Sequence, residues 1–244
     1  MKINKKTNLK GIQFIGSPFK RSVSKKETPI WLNIGCGVSL AKPPFINVDN
    51  FFDIKDLEYG QKTKKGMYKN ARIPKGAMFV RGDMCDLPFD DNYADYIECN
   101  DAIEHIPMNL ILKALSEMYR VLKPGGKLGL STTNFDELAK LWNLHIVGRT
   151  LSTDDEKKRY FTLSQVIYGN QAGPGEFHKS PFNPFSLGYY LQNAGFKLGD
   201  ISITIFPTNS PVRMPQKAYG DIAKKLENTV ILTEMMWAEA IKSL

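Results

Sequence analysis

Four short apolar runs end on residues able to hold a ligand. Leu32-Asn-Ile34 runs into Gly35-Cys36-Gly37, and glycines there let the backbone turn tightly and come close to a bound molecule. Asp49 closes Phe45-Ile-Asn-Val-Asp49, where a carboxylate accepts hydrogen bonds from a ribose diol. Asp83 and Met84 follow Ala77-Met-Phe-Val-Arg81; an acid at that place accepts from an adenine amino group while a neighbouring amide meets the ring. Asn100 and Asp101 end the run beginning at Tyr93. Two histidines are candidate general bases for a hydroxyl or amine acceptor: His105 in Glu104-His105-Ile106, and His178 in Glu176-Phe-His178-Lys179. Each acid alone reads equally well as a helix cap or a solvated loop charge, and His105 equally well as a packed structural group. Four such ends in order point to one shared site.

The elements that must position these residues follow from the pattern. Pro29–Ile34, Phe45–Asp49, Ala77–Arg81, Tyr93–Glu98 and Lys127–Thr132 read as strands. Between the last two, apolar residues recur at spacings of three and four from Leu110 to Leu122, which predicts a helix over 107–122, stopped by Pro124-Gly125-Gly126. This rhythm implies a parallel sheet covered on both faces. Residues 134–180 break it with a long, aromatic, mixed-charge stretch ending in Gly169–Gly175, and an insertion of that size suits a lid. A helix over Ser186–Ala194 and final strands over Phe196–Phe206 and about 229–237 complete the expectation. The last of these reads as helix equally well.

The strings Asp83…Leu87-Pro-Phe-Asp90…Asp95-Tyr-Ile97 and Arg120-Val-Leu-Lys-Pro-Gly-Gly-Lys-Leu128 resemble those of the class I S-adenosylmethionine-dependent methyltransferases over roughly residues 30–133. The type-11-like branch is the nearest in pattern. The opening Leu32-Asn-Ile-Gly-Cys-Gly37…Ile46-Asn-Val-Asp-Asn50 is similar to uncharacterised members found in surface-sugar and bacteriophage gene clusters. The resemblance implies an α/β fold, a Rossmann-like seven-stranded, mostly parallel sheet with helices on both faces, plus an inserted lid. It implies S-adenosylmethionine as methyl donor. Gly35 and Gly37, with Cys36 between them, would line its methionine part, Asp49 would hold the ribose, Asp83 with Met84 the adenine, and Asn100 would lie near the sulfonium. Asp101-x-x-Glu104-His105 also resembles a metal-binding string of ubiquinone-pathway O-methyltransferases and of small-RNA 3′-end methyltransferases, the latter with a later histidine followed by lysine, as at His178-Lys179. Glu-His-Ile occurs equally in relatives with no known metal, where capping and packing explain it, so no metal ligand is assigned.

Composition bounds the rest. The 244 residues carry a net charge of +8. Residues 1–28 hold +7 of it and residues 54–76 a further +5, so the remainder is slightly acidic. The expected division is a basic, flexible leader over 1–28 and a single methyltransferase domain over 29–244. No run reaches the roughly 20 apolar residues of a membrane span, and the leader lacks the long apolar core of a secretion signal. The three cysteines (Cys36, Cys85, Cys99) lack metal or redox spacing, and a cytoplasmic protein with reduced thiols is expected. A nicotinamide-dependent hydride-transfer enzyme is disfavoured. Its third fingerprint glycine is Leu40 here, and Asp49 comes 12 residues after Gly37 rather than about 20. The expected reaction is methyl transfer to a small-molecule or sugar hydroxyl, or to an amine. An RNA methyltransferase drawing phosphates to the basic clusters is the second reading, and a non-catalytic partner subunit the third.

Overall fold

The computed structural model describes residues 12–14, 29–66, 68–171, 173, 175–206 and 235–244. Five strands run parallel to one another: β2 (Trp31–Ile34), β3 (Phe45–Asp49), β4 (Met78–Arg81), β5 (Ala94–Asn100) and β6 (Leu122–Thr133). β7 (Ile201–Phe206) and β8 (Met235–Ile241) close one side, with β8 antiparallel to both β6 and β7. At the other edge Ile12–Phe14, here β1, pairs antiparallel with β4. The order is β1-β4-β3-β2-β5-β6-β8-β7. The seven expected strands are thus joined by an eighth taken from the leader, whose remaining residues lie outside those described. β3 is buried at every position after Phe45, as a parallel strand covered on both faces must be.

Helices cover both faces. On one, α2 (Met108–Val121) sinks Ile111, Ala114, Leu115, Met118 and Val121 against Val80 and Ile97 of the sheet, with α5 (Pro184–Asn193) beside it. On the other, α1 (Ile54–Thr63) brings Ile54 and Leu57 onto Phe79. Val80 and Phe79, adjacent on β4, serve opposite cores because successive strand side chains alternate faces. α3 (Phe135–His145) and α4 (Asp154–Tyr168) form a separate pair around Leu141, Trp142, Ile146 and Leu163. Among the described residues no helix is long and apolar enough to cross a membrane.

Several boundaries differ from expectation for local reasons. α2 spans the predicted helix, but Pro124-Gly125-Gly126 does not separate it from the next strand. β6 starts at Leu122 and carries these residues in a register shift against β5 between Ala94 and Tyr96. α5 starts at Pro184 because Asn183 caps it through the Ser186 amide. The last strand begins at Met235, and the earlier part of the predicted 229–237 segment lies outside the described residues. α1 and α4 were not legible as apolar stripes. Both are started by capping boxes, Asp53 with Asp56 and Thr153 with Glu156.

One side chain fixes the loop after β4 to α2. The Arg120 guanidinium donates to both Glu117 carboxylate oxygens, to the carbonyls of Phe89 and Leu87, and to Asp91. Glu117 in turn accepts from the Leu87 amide at 2.9 Å. Arg120 hydrogen bonds hold the Glu117 carboxyl below its ordinary pKa, so this stabilisation is full above the usual glutamate value and is lost as pH falls through the lowered one. Arg120→Ala is expected to cost about 2 kcal/mol at pH 7 in denaturant unfolding. Glu117→Gln should make wild type and variant converge in stability as pH falls below the usual glutamate range, the wild type falling more steeply.

Candidate functional site

The strand order reverses on either side of β2, and a cavity of about 910 Å³ opens beyond the carboxyl ends of the parallel strands around it. This is where open α/β sheets bind ligands. Its floor is the turn after β2. Gly35 and Gly37 have φ of 69° and 53°, a region side chains disfavour. A Cβ on Gly35 would sit 2.3 Å from that of Ala102, whereas one on Gly37 would meet nothing within 4 Å and would project into open space. The amides of Gly35 and Cys36 donate to the Val48 carbonyl, and the Gly37 amide donates to Asp49 Oδ2 at 3.0 Å.

Asp49 is buried at the end of β3. Its other oxygen accepts from the Phe51 amide at 2.9 Å. Burial raises its pKa against these amide bonds, and the nearby Glu176 carboxylate adds to the rise. Asp83, exposed after β4, accepts from the Cys85 amide and from Asn50 Nδ2. Each carboxylate oxygen has a second lone pair, so these bonds hold both acids in place and leave acceptor capacity. Met84 approaches the Gly35 turn. Asn100 ends β5, donating to Glu98 and accepting from Ser131 Oγ at 3.1 Å. Asp101 then turns the chain at φ 46°, a strained conformation for a non-glycine residue. Its amide bonds to the Ser131 carbonyl at 3.0 Å.

The strained turn leads into a single 3-10 turn, Ile103–His105. This is stitched to a segment more than 70 residues later. The Glu104 carbonyl accepts from the amides of Lys179 and Ser180 at 2.7 and 3.1 Å, and the buried Ser180 hydroxyl donates to the Ile106 carbonyl at 2.6 Å. The stitch brings His178 to His105, ring centroids 4.8 Å apart and planes at 82°. Burial lowers the pKa of His105, opposed by the carbonyls of Phe177 and Asp101. Burial, then the neighbouring His105, pushes His178 down to about 4. Both rings are therefore neutral near pH 7. Behind them lies Glu104, with burial and the Asp101 carboxylate raising its pKa.

Gly35, Cys36, Gly37, Asp49, Asp83, Met84 and Asn100 all line this one cavity, and so do His105 and His178. The wall opposite the glycine turn comes from the end of α4 and the segment after it, through Gln165, Val166 and Glu176. Gly175 lies so close to Phe51 that a Cβ would come within 2.8 Å of its ring. Phe51, Gln165 and Glu176 were not singled out from the sequence. Phe51 had a signal, standing two residues beyond Asp49, whereas Gln165 had none. The stitch predicts its own test. Ser180→Ala should lower stability by about 1–3 kcal/mol, the consequence of leaving the buried Ile106 carbonyl unpaired. It should also speed deuterium exchange at the amides of Lys179 and Ser180; unchanged exchange would show that the segment is held elsewhere.

Comparison with known proteins agrees with this architecture. Residues 32–130 match the family described as a methyltransferase domain. Demethylmenaquinone methyltransferase of Staphylococcus epidermidis is 29% identical over 147 residues, covering 54% of this chain and 60% of that protein. Human mitochondrial 2-methoxy-6-polyprenyl-1,4-benzoquinol methylase is 29% identical over 138 residues, 50% of this chain and 42% of its own. The matched regions thus span between two fifths and three fifths of these relatives. In fold, the chain is similar to phosphoethanolamine N-methyltransferase 2 of Haemonchus contortus, solved with phosphomonomethylethanolamine and S-adenosylhomocysteine. The TM-score is 0.50 at 19% identity, over 91% of this chain and 51% of that one. Residues 32–130 thus carry a methyltransferase domain, and the curated proteins named above that match this part of the chain are methyltransferases.

Proposed function

We propose that this chain transfers a methyl group from S-adenosylmethionine to a hydroxyl of a small molecule, with a sugar or an amine as the variants of that acceptor. The observation that carries this reading is a single cavity with two unlike sides. The glycine turn, Asp49 and Asp83 form one side, and the neutral His105–His178 pair and the end of α4 form the other. Its volume of about 910 Å³ lies near the upper end for ligand sites and suits a nucleoside-sized donor together with a small acceptor.

The residues fit the donor on their own chemistry. Gly37 leaves open the space that a Cβ would enter. Asp49 and Asp83 are fixed acceptors at the ends of neighbouring strands, suited to a ribose diol and an adenine amino group, and Asn100 stands at the centre beside the methionine end. When bound, S-adenosylmethionine supplies a methyl carbon already activated on a sulfonium, so alignment matters more than acid–base help. The chain's part is to orient both molecules, to exclude water, and to offer His105 or His178 to the acceptor's proton. In this reading residues 134–180 are the lid over the acceptor, with Gly175 seated on Phe51, and residues 29–244 work as one domain behind the basic leader. The named relatives are a menaquinone-type and a benzoquinol-type methyltransferase, which favours a small acceptor over a macromolecule.

Calorimetry with S-adenosylmethionine and S-adenosylhomocysteine tests the proposal. Both should bind to the wild type, and Asp49→Ala should weaken each by roughly 10- to 100-fold, the loss of hydrogen bonds to a charged acceptor. Failure of the folded wild type to bind either would overturn it. The RNA reading rests on the basic leader over 1–28 and on the exposed lysines of residues 55–75. It requires an RNA affinity that falls with salt, and equal binding of RNA by a variant with the leader lysines and Lys62, Lys64, Lys65 and Lys69 all changed to Ser would reject it.

A further inference from the structure

Arg72 belongs to none of the strand-end motifs, yet among the described residues it is one of only two cations lining the cavity. The other, Lys179, stands on the opposite wall beside His178, its amide tied to the Glu104 carbonyl. The remaining charged side chains of the lining are acids: Asp49, Asp83, Glu98, Asp101 and Glu176. Arg72 is exposed, and among the described residues it enters no ion pair. Its place is nevertheless fixed, and by its backbone. The Arg72 amide donates to the Val38 carbonyl at 2.7 Å, and its carbonyl accepts from the Leu40 amide at 3.0 Å. Together these form a parallel bridge to Ser39, so Arg72 is seated on the loop that leaves Gly37.

The same loop lacks the usual means of holding an anion. Residues 35–44 alone join β2 to β3, and none of them is helical. Parallel strands are usually joined through a helix, and a helix that starts at a glycine turn offers its N-terminus to negative charge. No such helix follows Gly37 here. A ligand with an anionic end therefore finds no helix terminus at the turn, and the acids elsewhere in the lining repel it. S-adenosylmethionine has such an end, the carboxylate of its methionine part. We infer that Arg72 holds that carboxylate, beside the space that Gly37 leaves open. A guanidinium meets a carboxylate with two parallel N–H groups, which fixes orientation as well as supplying charge. Anchoring this end sets where the sulfonium stands before the acceptor, and it selects donors that carry the whole amino-acid part. The inference deepens the methyl-transfer reading and rests on the methionine part lying over the glycine turn.

A calorimetric cycle on the full chain tests it, with S-adenosylhomocysteine and S-adenosyl-3-thiopropylamine, the same molecule without its carboxylate. The wild type should bind the first about 10-fold more tightly than the second, as expected of a hydrogen-bonded ion pair open to solvent. Arg72→Gln should bind S-adenosylhomocysteine about 10-fold more weakly than the wild type and the decarboxylated compound equally well. The bonds that seat Arg72 come from its backbone, so this change leaves them in place. A variant that keeps the wild-type preference would overturn the inference, as would a wild type with no preference. Equal weakening of both ligands is the mark of a structural role and overturns it too. Should the Gln variant fail to fold, Arg72→Lys takes its place. It keeps the charge and loses the fork, so an undiminished preference for the carboxylate there refutes the assignment. A wild type that binds neither compound would instead remove the donor reading itself.

Discussion

The site depends on one piece of backbone pairing. The Glu104 carbonyl receives the amides of both Lys179 and Ser180, and the Ser180 hydroxyl reaches the Ile106 carbonyl. These three bonds fasten a segment that follows α4 to the first turn after β5. They set His178 against His105. With them, the end of α4 closes one side of the cavity. The pairing is buried, where amides left without partners are costly, so the fastening resists local opening more than its three bonds alone would suggest.

The sheet supplies the opposite side by a different logic. β2 is flanked by β3 and β5, so the chain leaves it toward both sides of the cavity in turn. The turn after β2 closes on β3 through Val48 and Asp49, and Asp83 is linked to the same strand end through Asn50. Arg120 holds the loop beyond Asp83 from the far side of α2. Charge plays a small part in this. Among the described basic residues of 54–76 only Arg72 lines the cavity, and the leader contributes a three-residue edge strand on β4. Among the described residues, the basic groups of 54–76 thus stand mostly outside the cavity.

How much of this was legible from the sequence follows from the range of the interactions. Gly35, Gly37, Asp49 and Asp83 were legible because each follows its own strand, and strand ends in a parallel sheet converge without further instruction. α2 was legible from its apolar stripe. α1 and α4 were not, since polar residues dominate both and their starts are set by capping boxes of four residues. The meeting of His105 with His178 had no local signal, because it depends on Ser180 pairing across 74 residues. The eighth strand was hidden for a related reason. Ile12–Phe14 is too short to declare itself, and it becomes a strand only against the exposed edge of β4.

The same distinction explains why Glu104 reads so differently in sequence and in structure. In sequence, a glutamate after a strand and before a helix is an ordinary cap or a solvated charge. In the fold, α2 starts at Met108 with no side-chain cap and has no use for it, while the strap at 178–180 shuts it away from water. Burial of the carboxylate is thus a consequence of the strap, and the strap is what delivers His178. Burial raises the pKa of that carboxyl, the Asp101 carboxylate adds to the rise and the Thr132 hydroxyl opposes it, so the strap that delivers His178 to the cavity also favours the neutral form of the group behind it.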